Sequence, residues 1–463
     1  MKVHEFLDEG LGHSSYVIDL GDGTAAIVDP PRFPIAHETL VDRIGLRVAW
    51  TLDTHSHADY VTGSPALADR LGATFIAPAA SRLATPHRPV HDRERVDLAP
   101  GVELIALARP GHTPDHHAYL LSENGTPVAL FSGGSLMVGA IGRTDLCGPE
   151  LAEPLAHEMF RSLRRFDDLP PDVAVYPTHG AGSFCSAPGG SQRTSTIGHE
   201  RAANPLFAIR DEDNFVEQLI DGFGTFPSYF ARLPELNRLG PIPYATIPDL
   251  ALISPDDLAR HLDTGGIVID ARSIAAFSAG HVPGSISNSL RPVFASWLGW
   301  LIAPDRRLAF VLDPDQDRAD LVRQCLDVGH EHLIGELAGG IDAWTNSGRA
   351  TTATPLVDPT HMTDCVIDVR QANEYEAGHV PDAINIELWQ VPTADLTANL
   401  TANLTANLTA NSTEGPLTVM CGHGERAMTG ASLLARRGRC DVVVLDGGSE
   451  TWSAATGLAL EVG

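Results

Sequence analysis

Short apolar runs that favour β-strands alternate with helix-like segments along the second half of the chain. Residues 417–420 (LTVM) predict a strand, and the spacing of Ala431, Leu433, Leu434 and Ala435 predicts a helix soon after it. Alternation of strands and helices is typical of parallel sheets. We therefore predict parallel α/β domains of roughly 100 residues each in this half.

A set of short motifs occurs twice in the same half. The later copies are DVR (368–370), YEAGHVPDAIN (375–385) and LDGG (445–448), and the earlier copies are DAR (270–272), GHVPGSI (280–286) and GGIDAW (339–344). Repetition of this kind indicates internal duplication. We predict two related domains, at 248–350 and 355–463, that follow an N-terminal domain at 1–240.

A lone cysteine, Cys421, stands between the predicted strand and helix and opens the sequence CGHGERA (421–427). Backbone N–H groups of a small glycine-bearing loop can point at an anion, and a helix N-terminus adds positive potential that favours a thiolate. We therefore predict that Cys421 is a nucleophile and that Arg426 anchors an anionic donor or acceptor. The predicted anion cradle consists of Gly422, His423, Gly424 and Glu425. The alternative reading of a lone cysteine is a small buried apolar residue.

The five-residue spacing from Cys421 to Arg426, together with the repeated flanking motifs, resembles the rhodaneses. The resemblance implies a sulfurtransferase that carries sulfane sulfur as a cysteine persulfide. In the first copy, an ungapped alignment of 310–313 with 418–421 puts Asp313 in place of the cysteine. A carboxylate cannot carry sulfane sulfur, and Cys325 falls in the following helix. We therefore predict that the first copy is inactive and serves packing or the shaping of a site.

The N-terminal region carries a different set of motifs. Residues 50–53 (WTLD) predict a strand that ends at THSHADY (54–60), and GHTP (111–114), FSGG (131–134) and YPTHG (176–180) follow. Two histidines two positions apart at a strand end, joined by distant histidine or aspartate residues, can converge on one metal ion, and neutral imidazole suits zinc or iron. The predicted ligands are His55, His57 and His112, with Asp59 and His179 as further candidates.

These motifs, in this order, resemble the metallo-β-lactamase fold, an αββα sandwich. Within it they are most similar to the persulfide dioxygenases, mononuclear iron enzymes that oxidise a low-molecular-weight persulfide to sulfite with O₂. The resemblance implies Fe(II), with zinc as the alternative, and His55 and His112 match the family's two iron-binding histidines. Gly134 stands where that family has its aspartate ligand, and Tyr60 stands where the fold usually has another histidine.

Several outcomes stay open for this metal site. A three-histidine site, a substitute carboxylate such as Asp59, and an empty site are all compatible with the sequence. We predict a bifunctional enzyme that oxidises a thiol persulfide such as glutathione persulfide to sulfite and moves sulfane sulfur through Cys421, with thiosulfate formed when sulfite is the acceptor. The alternatives are a sulfurtransferase whose N-terminal domain is a metal-poor binding scaffold, a metal-dependent thioester hydrolase of glyoxalase II type, and an inactive binding protein. Cys185 either relays sulfur towards the metal or is a small packed residue.

Composition narrows the classes of partner. The formal net charge is −27, which argues against nucleic acid and anionic membrane as partners because both require clustered Lys and Arg. The six cysteines are irregularly spaced, which fits a reducing cytoplasm better than a disulfide framework. The sequence leaves the oligomeric state open, and a homo-oligomer is one alternative by analogy with related enzymes. The Leu-Thr-Ala-Asn repeat between Leu396 and Asn411 predicts an expanded surface loop.

Overall fold

A computed structural model describes residues 1–185, 192–395 and 415–463, so the repeat between Leu396 and Asn411 lies outside the described residues. The chain divides into two compact units. The first comprises Met1–Pro248 and Arg323–His330, and the second comprises Asp249–Val322 and Glu331–Gly463. Within the described residues, none of the helices combines the length and the apolar character required to cross a membrane.

The first unit contains two six-stranded sheets in which each strand lies beside its neighbour in sequence. The first sheet contains β1 (Lys2–Asp8), β2 (His13–Asp19), β3 (Thr24–Val28), β4 (Arg47–Leu52), β5 (Thr74–Pro78) and β6 (Arg88–Val90). The second sheet contains β7 (Arg95–Ala99), β8 (Val102–Ala108), β9 (His117–Glu123), β10 (Thr126–Gly133), β11 (Ala174–Pro177) and β12 (Ser195–Thr196). The helices of this unit are α1 (Ile35–Arg43), α2 (Ser64–Leu71), α3 (Ala152–Arg164), α4 (Ile197–Ala203), α5 (Pro205–Ala208), α6 (Glu212–Asp221) and α7 (Leu233–Leu239).

Side chains of alternating polarity explain the layers of this unit. The inward faces of both sheets meet in one apolar core, which includes Ile18, Leu52 and Phe131. The outer face of the first sheet packs on α1 and α2, and that of the second packs on α3 and α6, where Met159 and Phe215 are fully buried. The result is an αββα sandwich, and the predicted fold class is confirmed.

The second unit contains two five-stranded sheets, all of whose strand pairs are parallel. Their strands are β13 (Leu252–Ile253), β14 (Ile267–Asp270), β15 (Ile286–Ser287), β16 (Leu308–Val311), β17 (Leu333–Leu337), β18 (Leu356–Val357), β19 (Cys365–Asp368), β20 (Ile384–Asn385), β21 (Leu417–Met420) and β22 (Val442–Leu445). The strand orders, β13-β17-β16-β14-β15 and β18-β22-β21-β19-β20, are the same, as the duplication requires.

Helices connect these parallel strands in both copies. Their bounds are α8 (Pro255–Asp263), α9 (Ile274–Ala279), α10 (Phe294–Leu301), α11 (Arg318–Asp327), α12 (Gly340–Asn346), α13 (Ala372–Ala377), α14 (Glu425–Arg436) and α15 (Ser449–Thr456). Trp344 in α12 and Trp452 in α15 are buried in the cores of their respective copies.

The repeated motifs make the same structural contacts in both copies. In the first copy, Arg272 donates to both carboxylate oxygens of Asp270 at 2.9 and 2.6 Å and to the carbonyl of Gly280 at 2.9 Å. The His281 ring stacks on Phe277 at 3.7 Å. Equivalent contacts recur in the second copy, where Arg370 bonds Asp368 and His379 stacks on Tyr375 at 3.7 Å. These contacts stabilise the fold of each copy.

Strand pairing shifts the alignment of the two copies by one residue. Asp270 pairs with Val311, and Asp368 pairs with Met420, so the residue that follows each partner strand is Leu312 in one copy and Cys421 in the other. The ungapped sequence alignment had instead matched Asp313 with Cys421. The loop of the first copy is therefore one residue longer before its arginine, and the position of the nucleophile holds a buried leucine, which carries no sulfur either.

Candidate active sites

Loops that follow three strands bring five histidines together in the first unit. His55 and His57 follow β4, His112 and His116 lie between β8 and β9, and His179 follows β11. The ring of His55 lies 4.3 Å from that of His57, 5.0 Å from those of His112 and His116, and 5.3 Å from that of His179. All five residues are buried, so the sequence-distant motifs do converge.

Two sets of possible ligand atoms overlap within this group. One nitrogen each from His55, His57 and His179 lie within 4.8 Å of one another, and the same holds for ligand atoms of His112, His179 and Cys185. His179, a secondary candidate from the sequence, belongs to both sets. His112 groups with Cys185 rather than with His55 and His57.

Two imidazole nitrogens of this group, Nε2 of His55 and Nε2 of His179, face each other. Thr54 donates its hydroxyl proton to Asp29 at 2.8 Å, so it accepts from Nδ1 of His55 at 2.8 Å, and Nε2 of His55 carries a lone pair. Nδ1 of His179 lies 3.3 Å from Oδ2 of Asp59. The two Nε2 atoms are 3.3 Å apart. Two nitrogens that share a tetrahedral zinc ion lie about 3.3 Å apart, so this arrangement fits a bound cation.

The glycine at position 134 determines where His112 lies. A Cβ atom built on Gly134 would lie 2.2 Å from Cδ2 of His112, so the imidazole ring fills the space in which a side chain at 134 would begin. Nδ1 of His112 donates to the carbonyl of Arg143 at 2.8 Å. Its buried Nε2 has no hydrogen-bond partner among the described residues, which is the state expected of a metal ligand.

Asp29 is a central residue that the sequence reasoning missed. Its buried carboxylate accepts from the backbone N–H of Thr54 at 2.7 Å, from Nε2 of His57 at 3.1 Å, and from the hydroxyl of Thr178. Burial disfavours a charged imidazole, but the charge of Asp29 outweighs it and raises the pKa of His57 to about 9. An aspartate directly after the apolar strand β3, in the sequence IVDP, was the available signal.

Tyr60 supports this network instead of binding metal. Its hydroxyl donates to the carbonyl of Asp29 at 3.1 Å, and its ring stacks on His57 at 4.5 Å and on His13 at 3.9 Å. A tyrosine at this position therefore fixes His57 from one side while Asp29 fixes it from another. The site therefore has a hydrogen-bonding aromatic residue where the resemblance led us to expect a histidine.

A pocket of about 510 Å³ opens beside the histidines. Ser56, between His55 and His57 in sequence, lies in its wall and donates to Asp115 from both its backbone N–H and its hydroxyl, at 3.0 and 2.7 Å. Leu146 and Phe226 supply apolar surface on the same wall. The pocket therefore has both polar and apolar wall surface next to the loop that carries His55 and His57.

The second unit contains Cys421 in the turn between β21 and α14. Its Sγ accepts a hydrogen bond from the backbone N–H of Gly424 at 3.1 Å. Gly424 has φ +100, a conformation that L side chains rarely adopt. Cys421 is only 1% exposed, so a sulfur donor must reach its Sγ through local movement of the loop or its neighbours.

Arg426 lies at the loop and pairs with a carboxylate from another helix. Its guanidinium makes two hydrogen bonds to Glu374 of α13, at 2.6 and 2.8 Å. Burial alone would raise the pKa of Glu374, but Arg426 outweighs it and lowers that pKa. Arg426 thus lies beside the predicted cradle. An anion that binds there must compete with Glu374 for the guanidinium of Arg426.

The first copy also contributes surface next to this loop. A Cβ atom on Gly424 would lie 3.0 Å from Cδ1 of Ile274, and the guanidinium of Arg426 lies 6.0 Å from the centre of the Trp297 ring. Burial lowers the pKa of Arg291, against the opposing charges of Glu425 and Cys421. The first copy thus shapes the surroundings of the cysteine in the second.

Comparison with known proteins agrees with this two-part architecture. The rhodanese-like domain family matches residues 254–347 and 352–455. The human mitochondrial persulfide dioxygenase ETHE1 is 28% identical over 195 residues, which cover 41% of this chain and 68% of that protein. A hydroxyacylglutathione hydrolase of Pseudomonas putida is 30% identical over 227 residues, covering 44% of this chain and 83% of that protein. Other hydroxyacylglutathione hydrolases are matched over 56–59% of their length.

Among solved structures, a metallo-β-lactamase from Staphylococcus aureus subsp. aureus COL superposes with a TM-score of 0.62 and 27% identity, covering 72% of this chain and 98% of that chain. The chain therefore belongs to the metallo-β-lactamase-fold family that includes persulfide dioxygenases and hydroxyacylglutathione hydrolases. In this chain an ETHE1-like domain is fused to two rhodanese-like domains, as the sequence predicted. This relationship indicates a metal-binding domain.

Proposed function

We propose that the protein oxidises a low-molecular-weight thiol persulfide to sulfite in its first unit and transfers sulfane sulfur through Cys421 in its second. The related persulfide dioxygenase and the two rhodanese-like matches support this class of chemistry. The observation that carries the transfer half is the hydrogen bond from the Gly424 N–H to the sulfur of Cys421 at 3.1 Å. The facing Nε2 atoms of His55 and His179 carry the oxidation half.

The transfer reaction requires a thiolate at Cys421. This thiolate attacks the sulfane sulfur of the donor, a new S–S bond forms on Cys421, and the bond between sulfane sulfur and carrier breaks. The carrier leaves with the electron pair, as a thiolate from a thiol persulfide or as sulfite from thiosulfate. An acceptor nucleophile then removes the sulfane sulfur, and sulfite as acceptor gives thiosulfate. The Gly424 N–H stabilises negative charge on the sulfur in each thiolate state.

In the first unit, the residues that would hold a metal ion are His55, His57, His112 and His179. Fe(II) is the proposed metal, with zinc the alternative. A bound redox-active ion would provide the chemistry that allows the persulfide to react with O₂. The protein's own residues orient these ligands, since Thr54 bonds His55 and Asp29 bonds His57. The adjoining pocket holds the thiol carrier with its persulfide towards the histidines.

A second candidate is hydrolysis of a glutathione thioester. Hydroxyacylglutathione hydrolases are among the relatives, at up to 37% identity over the matched residues. Gly134 and Tyr60 oppose this candidate, because the hydrolases of this fold use an aspartate and a histidine at those positions for a second metal ion. Tyr60 is instead committed to His57, His13 and Asp29.

Metal content and substrate consumption separate these candidates. After anaerobic loading with Fe(II), the full-length protein is expected to hold close to one iron per chain and to consume O₂ with glutathione persulfide. His55→Ala should abolish both, whereas His199→Ala, at an exposed helix position, should leave both unchanged. Iron content far below one per chain would contradict the oxidation half. Thioester hydrolysis without O₂ uptake would favour the second candidate.

A further inference from the structure

Cys185 lies in the same buried cluster and has no place in the function proposed above. Its Sγ and one nitrogen each of His112 and His179 lie within 4.8 Å of one another, and Cys185 is fully buried. Thiolate and imidazole are a donor set that binds zinc and other first-row metals.

Two further buried groups next to Cys185 lack the partners that burial requires. Nε2 of His112 has no hydrogen-bond partner among the described residues, and neither carboxylate oxygen of Asp59 accepts a hydrogen bond there. Both residues are only 1% exposed. Nδ1 of His179 lies 3.3 Å from Oδ2 of Asp59. Unpaired lone pairs and a buried carboxylate are costly in apolar surroundings, and a cation among them would satisfy both.

The backbone of Arg143 links the cysteine to His112. The carbonyl of Arg143 accepts from Nδ1 of His112 at 2.8 Å, and its N–H donates to the carbonyl of Cys185 at 3.1 Å. The side chain of Arg143 is held by Asp145 through two hydrogen bonds, at 2.7 and 2.8 Å. The same anchored residue thus positions a histidine ligand and the thiol on one side of the cavity.

Position 134 explains why a thiolate would matter here. The glycine supplies no charged donor, and the ring of His112 fills the space where a side chain at 134 would begin. A site of neutral imidazoles would lack the anionic ligand that strengthens the binding of a divalent ion.

We propose that Cys185 is a metal ligand whose thiolate, together with His112 and His179, supplies the anionic donor that Gly134 cannot. This inference deepens the proposed function and rests on it to the extent that an ion occupies this cavity. Coordination forms a metal–sulfur bond and releases the thiol proton to solvent, without any change of oxidation state. The softer donor set shifts the preference of the site towards zinc relative to a site with a carboxylate.

Cobalt substitution tests the assignment in the full-length protein. Co(II) added to metal-free wild type should give visible d–d bands together with a near-ultraviolet sulfur-to-cobalt charge-transfer band. Cys185→Ser should remove the charge-transfer band and keep d–d bands of weakened intensity at saturating Co(II). Cys421→Ser should keep both, which excludes the other unit as the source of the sulfur signal. Changes one shell outside a metal cost about 10–100-fold in affinity, so loss of a direct ligand should weaken zinc binding at least about tenfold.

A second measurement leaves Cys185 in place and therefore does not depend on the folding of Cys185→Ser. X-ray absorption of the zinc-loaded protein should show one sulfur at about 2.3 Å and nitrogen or oxygen ligands at about 2.0–2.1 Å. The Cys421→Ser variant serves as the sample, so any sulfur ligand comes from elsewhere in the chain.

The outcomes separate this inference from the proposed function. Metal bound with nitrogen and oxygen ligands alone would overturn the role of Cys185 and leave the oxidation half intact, with Cys185 a packed residue or a sulfur relay. Failure of both cobalt and iron to bind would overturn both. A sulfur signal that survives in Cys185→Ser would also overturn the assignment.

Discussion

The two rhodanese-like copies share a scaffold and differ in one loop. Arg272 bonds Asp270, and Arg370 bonds Asp368, with a shortest distance of 2.6 Å in both copies. A histidine stacks on an aromatic ring at 3.7 Å in both. The loop that follows the central strand begins with Leu312 in one copy and with Cys421 in the other. The flanking motifs therefore indicate the fold, and the loop alone indicates the chemistry.

The contacts of the arginine in each loop show how the loop after Leu312 differs from the loop after Cys421. In the first copy, Arg318 turns into its own loop and donates to the carbonyls of Asp313, Pro314 and Gln316 at 2.8, 3.2 and 2.5 Å. The side chain of Gln316 also spans the loop, from the N–H of Asp313 to the carbonyl of Ala271. A loop filled by its own side chains presents no cradle to an anion. Both arginines also pair with a carboxylate, Arg318 with Glu336 and Arg426 with Glu374.

The largest effect is expected from the nucleophile itself. Cys421→Ser should abolish thiosulfate:cyanide sulfur transfer, because a hydroxyl cannot carry sulfane sulfur, while Cys440→Ser, an exposed cysteine of the same copy, should retain it. Leu312→Cys in the Cys421→Ser background should not restore transfer, since Arg318 and Gln316 occupy that loop. Steady-state cyanide assays check all three, and activity in Cys421→Ser would contradict the assignment.

The shared scaffold predicts equal losses of stability in the two copies. Asp270→Asn and Asp368→Asn each leave a buried arginine without its charge partner, which should cost about 3–5 kcal/mol. Asp256→Asn, at a largely exposed ion pair with Arg349, should cost less than about 1 kcal/mol. Denaturant unfolding measures these values. A loss confined to the second copy would mean that its motif serves catalysis and not only the fold.

Glu374 allows a finer test of how Arg426 serves the second loop. Glu374→Gln frees the guanidinium for an anionic donor, so the KM for thiosulfate should fall roughly fivefold, corresponding to about 1 kcal/mol. Glu376→Gln, exposed on the same helix, should leave KM unchanged. A rise in KM in Glu374→Gln would show instead that Glu374 positions Arg426 for binding.

The smallest expected effect is a pH dependence of the same ion pair. The folded-state pKa of Glu374 is lowered, so its contribution to stability is present above the ordinary glutamate pKa and is lost as the pH falls through the lowered value. The melting temperature of wild type should exceed that of Glu374→Gln at neutral pH, and the difference should vanish under acidic conditions. A difference independent of pH would contradict the charge-based explanation.

The sequence was sufficient to predict the layers of the fold and the candidate loop. It was not sufficient to predict which residues far apart in the chain contact each other. Motif order predicted the αββα sandwich, the duplication and the turn at Cys421. The one-residue shift between Leu312 and Asp313 was missed, because an ungapped alignment does not register strand pairing. Asp29 was missed because its contacts with His57 and Thr178 join residues that are far apart in the chain. The grouping of His179 with both ligand sets depends on side-chain geometry that spacing does not encode.

The contact between His112 and Gly134 makes these two positions interdependent. An aspartate introduced at 134 would place its Cβ 2.2 Å from the His112 ring, well inside van der Waals contact. A side chain at 134 therefore requires the imidazole to leave that space and to give up its hydrogen bond to the carbonyl of Arg143. Engineering a carboxylate into this site thus takes a compensating change at His112 as well.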